Sequence, residues 1–375
     1  MCVTSGYWEI DEFFVLDLDN DMAILFSPIT IKGITLKNRI VVSPMCQYTA
    51  VDGFANDWHL VHLGGFAVGG AALIVAEATG ISPEARISPA DLGLWNDEHI
   101  IKLAQINAFI KQHGAVPGIQ LAHAGRKAST MVPWEGRDEV KPEDGGWQTV
   151  APTAIPFADN YPHPIALDET GIEKVIADFK SATERAVKAG FEVIEIHASH
   201  GYLLHQFLSP LSNQRTDAYG GSFENRIRLL LEVIAEVQTV LPQQLPLFVR
   251  IPGSDWADGG WSADDAVALA AVLKARGVDV MDVTSGGLVT HQKIAVGPAY
   301  QTPFAAKVKR ETGALTSTAG LITNAVQAES ILVNGEADLI MIARELLRDP
   351  HFPLRAAHEL KVNIDWPVQY ERAQW

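Results

Sequence analysis

Cysteine is nearly absent: Cys2 and Cys46 are the only two in 375 residues. Two thiols cannot build a disulfide framework, a zinc site of several thiolates or an iron–sulfur cluster. Positive charge is also scarce. Lys and Arg total 29 against 45 Asp and Glu, a formal net charge of −16. Such a surface repels nucleic acid and anionic lipid, so neither is an expected partner, although a local basic pocket for one phosphate is compatible with it. Long hydrophobic runs are missing as well. The longest uncharged apolar stretch, residues 63–76, is Gly-rich and too short to span a bilayer. The first residues show no positive segment ahead of an apolar core, so no secretory signal is read and a soluble, cytoplasmic protein is expected. Finally, there is no Gly-x-Gly-x-x-Gly turn, Walker phosphate loop, His-Glu-x-x-His or Gly-x-Ser-x-Gly.

What is present is a large core and a repeating pattern. The hydrophobic fraction of 47% suits a globular chain, and the length allows one large barrel or two ordinary domains. Residues 1–21 carry Glu9, Asp11, Glu12, Asp17, Asp19 and Asp21 with no Lys or Arg, and are expected to form a poorly ordered acidic tail. Residues 22–375 are expected to form one domain. From Leu25 onward, apolar runs of strand length recur at 39–43, 72–77, 116–121, 193–197, 246–251, 278–284, 314–319 and 338–344. Helical patterns lie between most of them, at 97–113, 172–189, 222–241, 262–276, 323–334 and 345–347. Ser222 and the Ser262/Asp265 pair mark helix starts, and Gly190 and Gly277 mark stops. Eightfold strand–helix alternation predicts a (β/α)₈ TIM barrel, and the missing glycine-rich turn argues against a doubly wound sheet.

Two stretches break the repeat. Residues 122–168, rich in Pro, Gly, Trp and charge, separate the third strand from its helix and are expected to form a lid over the barrel mouth. Residues 366–375 are aromatic and are expected to dock, with a neighbouring subunit as one candidate.

In such barrels the chemistry sits at the C-terminal strand ends. The fourth carries the densest cluster: Val193 to His197 is a buried strand pattern, followed by Ser199, His200, Gly201 and Tyr202. Two imidazoles three residues apart can converge on one oxygen, and a phenol two residues on can supply a proton. The other ends offer Ser43, Pro44, Met45, Cys46 and Tyr48, then Glu77 and Ala78, Gln120, Arg250, Gly320, and Ala343 with Arg344. Glu77 is the lone carboxylate of that ring and no strand ends in Lys. A divalent-metal enolase site and a Schiff-base site are therefore not expected, and no metal ligand set is assigned. Neutral hydrogen-bonding groups with two arginines suit a planar, phosphorylated cofactor. Gln120 can read a pyrimidine edge and Arg250 can balance negative charge on a reduced ring. Gly320 and Arg344 occupy the usual barrel phosphate position. Glu195 faces the same way as His197 and either supports the site or fills the barrel.

Several ordered motifs carry a resemblance: Leu25-Phe26-Ser27-Pro28, Ser43-Pro44-Met45-Cys46-Gln47-Tyr48, Gln120-Leu121-Ala122-His123-Ala124-Gly125-Arg126, His197-Ala198-Ser199-His200-Gly201-Tyr202, and Gln369-Tyr370-Glu371-Arg372. From about Leu25 to Trp375 the chain resembles the old yellow enzyme family of FMN-dependent ene-reductases, on its thermophilic-like, xenobiotic-reductase branch. The resemblance implies an NADPH dehydrogenase that reduces the C=C bond of α,β-unsaturated carbonyls, nitroalkenes and maleimides. It implies FMN held by Ser43, Pro44, Met45, Cys46, Ala78, Gln120, Arg250, Ala343 and Arg344, with Cys46 near flavin N5. His197 and His200 would bind the substrate oxygen, Tyr202 would protonate carbon, and Tyr48 would touch substrate. Arg372 would reach a neighbouring subunit's site in a dimer or tetramer. Two rivals stand beside it. One is a phosphate-binding barrel isomerase or lyase without flavin; the other is a non-catalytic flavin-binding protein.

Overall fold

The structure, a computed structural model, describes residues 23–375; the expected acidic tail of residues 1–21 lies outside the described residues. Eight parallel strands close into a barrel in chain order. They are β1 Ile40–Val42, β2 Leu73–Gly80, β3 Val116–Ala122, β4 Val193–His197, β5 Leu247–Pro252, β6 Val280–Thr284, β7 Leu315–Thr318 and β8 Leu339–Ile342. Strand β8 pairs with β1, Ile340 opposite Ile40, and completes the TIM barrel expected from the alternation. Around it run α1 Asp57–Val68, α2 His99–Gln112, α3 Glu169–Lys188, α4 Phe223–Val240, α5 Ala263–Ala275, α6 Thr302–Thr312, α7 Ala325–Val333 and α8 Phe352–Glu359.

The expected caps operate. The Ser222 side chain accepts from the Asn225 N–H, and Ser262 and Asp265 form a reciprocal capping box. Helices α1, α6 and α8 were not visible as periodic patterns. Helix α1 is apolar on most sides and contains Gly64-Gly65, so it shows no stripe; the run 63–76 in fact splits into the end of α1, a turn at Gly70 (φ +96°) and β2. Helix α6 carries a proline in its first turn, where the absent N–H leaves no bond unmade.

The barrel interior is layered because alternate residues of a strand share a face. At the N-terminal end Val41, Leu73, Val75, Val116, Val193, Phe248, Val280 and Leu339 form a buried apolar cluster. The hairpin Ile29–Ile31/Ile34–Leu36 plugs this end with Ile31 and Leu36. Two residues further along the same strands come Ser43, Glu195, Arg250, Asp282 and Ser317, all buried. Two further again come His197 on β4 and Thr284 on β6. The tube thus turns from hydrocarbon to charge to the open mouth within one strand length, Val193 to His197.

Residues 122–168 are built rather than loose. They contain single turns at Gly125–Lys127, Pro133–Glu135 and Pro142–Asp144, and a small ribbon pairing Val150–Ala151 with Ile165–Ala166. Arg126 Nη1 donates to Ile155 O at 3.3 Å, and Arg215 Nη1 donates to Pro152 O at 3.0 Å and Leu167 O at 2.6 Å. The C-terminal turn Val368–Ala373 lies beside α8, with Tyr370 against His351 and Trp375 against His358, while Val368 and Trp375 remain largely exposed. Among the described residues no helix is long and apolar enough to cross a membrane.

Candidate active site

A cavity of about 260 Å³ opens at the C-terminal end of the barrel. It gathers Ser43, Pro44, His200, Arg250, Gly320, Ala343 and Arg344, joined by Thr284, Tyr300 and Gln301. A larger hollow of about 590 Å³ lies at the opposite end, between Lys37, Asn38, His113 and the stretch 363–369. No C-terminal strand end reaches it, so its size carries no functional weight.

The floor of the mouth is an ion cluster. Arg250 is bonded to Asp282 through Nε and donates from Nη2 to Ser43 Oγ at 3.1 Å. Asp282 also accepts from Ser317 Oγ at 2.7 Å. Gln120 Nε2 donates to Glu195 Oε1 at 2.7 Å, and that oxygen is 3.7 Å from Arg250 Nε. Burial would lower the Arg250 guanidinium; Asp282 and Glu195 outweigh it and hold it above its ordinary value. Burial pushes the Glu195 carboxyl the other way, upward, helped by Asp282. Glu195 thus holds the Gln120 amide by a hydrogen bond and lies close to the Arg250 guanidinium, which bonds to Asp282 instead.

Above this floor stand the two histidines. The Ser199 N–H donates to His197 Nδ1 at 3.3 Å, which leaves the ring proton on Nε2. That nitrogen is 3.3 Å from His200 Nδ1, the two rings meet edge to face at 5.2 Å, and the Tyr202 ring lies 5.0 Å from His197. Burial first, then neighbouring positive groups, hold both imidazoles well below their ordinary value, so both are neutral donors. Burial, with Cys46 and Asp91, pushes the Tyr202 phenol well above its ordinary value, so it keeps its proton.

The β1 loop gives Ser43 and Pro44 to the cavity, and Met45, Cys46 and Tyr48 follow outside its lining. Met45 packs on the core, Cys46 is half-buried, and Tyr48 holds a left-handed backbone (φ +52°) with its ring edge-on to Trp134 of the excursion at 5.8 Å. Burial pushes the Cys46 thiol well up, with Asp91 and Glu77 adding to it. Strand β2 bulges between Ala76 and Ala78, which re-aims Ala78 and sets it level with Gln120. Arg372 lies apart from all of this, exposed on the C-terminal turn.

One residue that touches the cluster escaped the sequence reading. Lys127 is partly buried, its ammonium over the Phe157 and Tyr202 rings at 4.6 and 5.1 Å, and its Nζ donates to His200 O and Gly287 O, both at 2.9 Å. It directly follows the Gln120–Arg126 motif, but nothing in a single lysine signals burial.

The donor set fits a flavin nucleotide. Gln120 and Arg250 present amide and guanidinium groups at the floor. At the rim, Glu345 is committed to Arg348 and Arg355, which leaves Arg344, without a carboxylate partner among the described residues, to face the cavity beside Gly320 (φ +113°). Sequence and fold comparisons agree. Residues 24–363 match the model of the NADH:flavin oxidoreductase / NADH oxidase family. An NADPH dehydrogenase of Geobacillus thermodenitrificans is 50% identical over 351 residues, 93% of this chain and 98% of the relative. One from Bacillus subtilis is 48% identical over 350 residues, again 93% and 98%. Among solved structures, morphinone reductase superposes with a TM-score of 0.76 at 26% identity, covering 92% of this chain and 91% of that one. The old yellow enzyme homologue of Zymomonas mobilis gives 0.75 at 26%, covering 92% and 95%. The chain belongs to the NADH:flavin oxidoreductase / NADH oxidase family, the old yellow enzymes, and is an oxidoreductase whose cofactor is FMN.

Proposed function

We infer that this enzyme uses NADPH to reduce the C=C bond of α,β-unsaturated carbonyls and related activated alkenes, nitroalkenes and maleimides among them. The observation that carries the reading is the placing of two neutral imidazoles and a protonated phenol together above the barrel floor. FMN, when bound, would supply the redox chemistry, hydride transfer between NADPH and the alkene.

The protein's own part is polar. A substrate carbonyl between His197 and His200 would receive their ring N–H groups in place of their contact with each other. Negative charge gathers on that oxygen as hydride arrives, and donors in a buried site stabilise it; losing one such donor typically costs about 10²–10³ in rate. Tyr202 hands its proton to the other carbon, a step worth roughly 10²–10⁴. Ser43, Pro44, Met45, Cys46, Ala78, Gln120 and Arg250 would hold the ring of the cofactor, and Gly320, Ala343 and Arg344 its phosphate. Tyr48 and Trp134 would border the substrate, with the 122–168 excursion as lid. Self-association would let Arg372 complete the site of a neighbouring copy.

Purified holoenzyme reduced anaerobically with NADPH and then mixed with 2-cyclohexenone tests this. Bleaching by NADPH followed by recovery of flavin absorbance is expected. Bleaching without recovery, across enones, nitroalkenes and maleimides alike, rules the reading out.

A further inference from the structure

The turn that joins the oxygen-binding and proton-donating groups is held in an unusual shape. His200 (φ +57°) and Gly201 (φ +74°) are both left-handed. Such a pair persists only when its surroundings hold it. Three side chains do so, His205 and Gln206 fully buried and Lys127 partly buried. Lys127 Nζ donates to His200 O at 2.9 Å and Gln206 Nε2 donates to Gly201 O at 2.8 Å. The Gly201 N–H donates to His205 Nδ1 at 2.8 Å. Position 201 has no room for a side chain, since a Cβ there would lie 2.1 Å from Gly287 O.

His205 has a second partner. Its Nε2 is 2.9 Å from Asp255 Oδ1, off the line of a straight hydrogen bond, and both side chains are completely buried. Asp255 Oδ2 accepts from Ser209 Oγ at 2.6 Å and from the Trp261 N–H at 2.7 Å. Burial would raise the Asp255 carboxyl, but His205 and these donors hold it below its ordinary value, so it is an anion. Because Nδ1 accepts from Gly201, the ring proton sits on Nε2, against that anion. Asp255 lies just past β5, so the pair also ties the β5 loop to the β4 loop. Neither residue lines the mouth cavity.

We propose that His205, kept in one tautomer by Asp255, is a positioning residue: it fixes the Gly201 amide and thereby the angle between the His200 imidazole and the Tyr202 phenol. The inference rests on the roles proposed above, oxygen binding by His200 and proton donation by Tyr202. Gly201 is the hinge between them, and a misplacement of about 1 Å at a reacting centre can cost roughly 10²-fold. The carboxylate matters through the tautomer. An amide in its place can accept where the anion accepted or donate where it cannot, and an imidazole in the wrong tautomer would set an N–H against the Gly201 N–H.

The test uses FMN-loaded enzyme and three variants, His205→Phe, His205→Asn and Asp255→Asn. Acetophenone, a carbonyl the enzyme cannot reduce at an alkene, is titrated against flavin absorbance. Reoxidation of reduced enzyme by 2-cyclohexenone is timed, and amide hydrogen exchange is followed at Gly201. His205→Phe and Asp255→Asn are expected to weaken acetophenone binding and slow reoxidation by about tenfold to a hundredfold, with FMN content unchanged and Gly201 exchanging faster. His205→Asn, which keeps an acceptor near the Nδ1 position, should recover most of both. A folded His205→Phe or Asp255→Asn with wild-type binding, rate and exchange overturns the proposal, as does a His205→Asn no better than His205→Phe. Should His205→Phe fail to fold, Asp255→Asn decides alone. If wild-type enzyme neither binds acetophenone nor is reoxidised, the reading of the site falls, while exchange at Gly201 still decides the clamp.

Discussion

Glu77 Oε2 accepts the Gln47 backbone N–H at 2.8 Å, so the carboxylate at the bulge within β2 sets the β1 loop that bears Cys46 and Tyr48. Its other oxygen is 3.2 Å from His59 Nε2 on α1, and both side chains are buried. A group read from sequence as one of the ring of strand ends thus stands within the strand, as a strut between the β1 loop and α1. Glu77→Ala leaves the Gln47 N–H and His59 Nε2 without a partner, and each unsatisfied buried group costs about 1–3 kcal/mol. Urea unfolding should show a loss of that order, and alkene reduction should slow as Tyr48 loosens. A variant as stable as the parent contradicts this assignment.

Tyr202→Phe separates the half-reactions. Only alkene reduction needs the phenolic proton, so reoxidation by 2-cyclohexenone should fall about 10²–10⁴-fold while flavin bleaching by NADPH changes far less. Stopped-flow absorbance measures both; equal losses would remove the proton-donor role.

Lys127 gives a pH signature in stability. Burial, then Arg126 and Arg137, lower its ammonium from 10.5 to about 7. The fold therefore favours the neutral amine, and the unfolded chain binds the extra proton between those values. The contribution of this group is complete above about 10.5 and is lost as pH falls through about 7. The stability difference between wild type and Lys127→Met should shift in favour of wild type as pH rises across that window. Denaturant melts at several pH values test the sign.

The paired histidines predict acid sensitivity by the same reasoning. His197 and His200 are held well below 6.5, mainly by burial. Their stabilising contribution is full above that value and declines as pH falls below it toward the folded-state values. Replacing both by Gln should flatten the loss of stability below pH 6.5. It should also slow alkene reduction. An unchanged acid limb would mean that these rings are charged in the fold.

Removal of residues 368–375 takes away Arg372 together with the exposed Val368 and Trp375. If the segment completes a neighbour's site, substrate KM should rise severalfold, with FMN retained, and light scattering should show weakened self-association. Wild-type kinetics in a still oligomeric truncated enzyme would end the claim.

The barrel was legible because its signal is additive. Eight apolar runs with helical patterns between them admit few other folds, and the caps at Ser222 and Ser262 act through neighbours in sequence. The helices that escaped lack a one-sided stripe or begin at a proline. Of the site, the strand ends were readable because barrel chemistry gathers there, and the His197–Tyr202 cluster is contiguous in the chain.

By itself, the sequence determined the eightfold repeat, the family, and which residue types stand at each strand end. Those are local facts, set by periodicity and by contiguous motifs. Only the tertiary structure decided that Glu195 meets Gln120, that Asp282 meets Arg250, that Lys127 caps the His200 carbonyl, and that His205 meets Asp255. The physical reason is that a buried polar group is defined by partners far away in the chain, 50 residues separating His205 from Asp255 and 73 separating Lys127 from His200. Barrel closure, which no local pattern encodes, brings those partners within hydrogen-bonding reach.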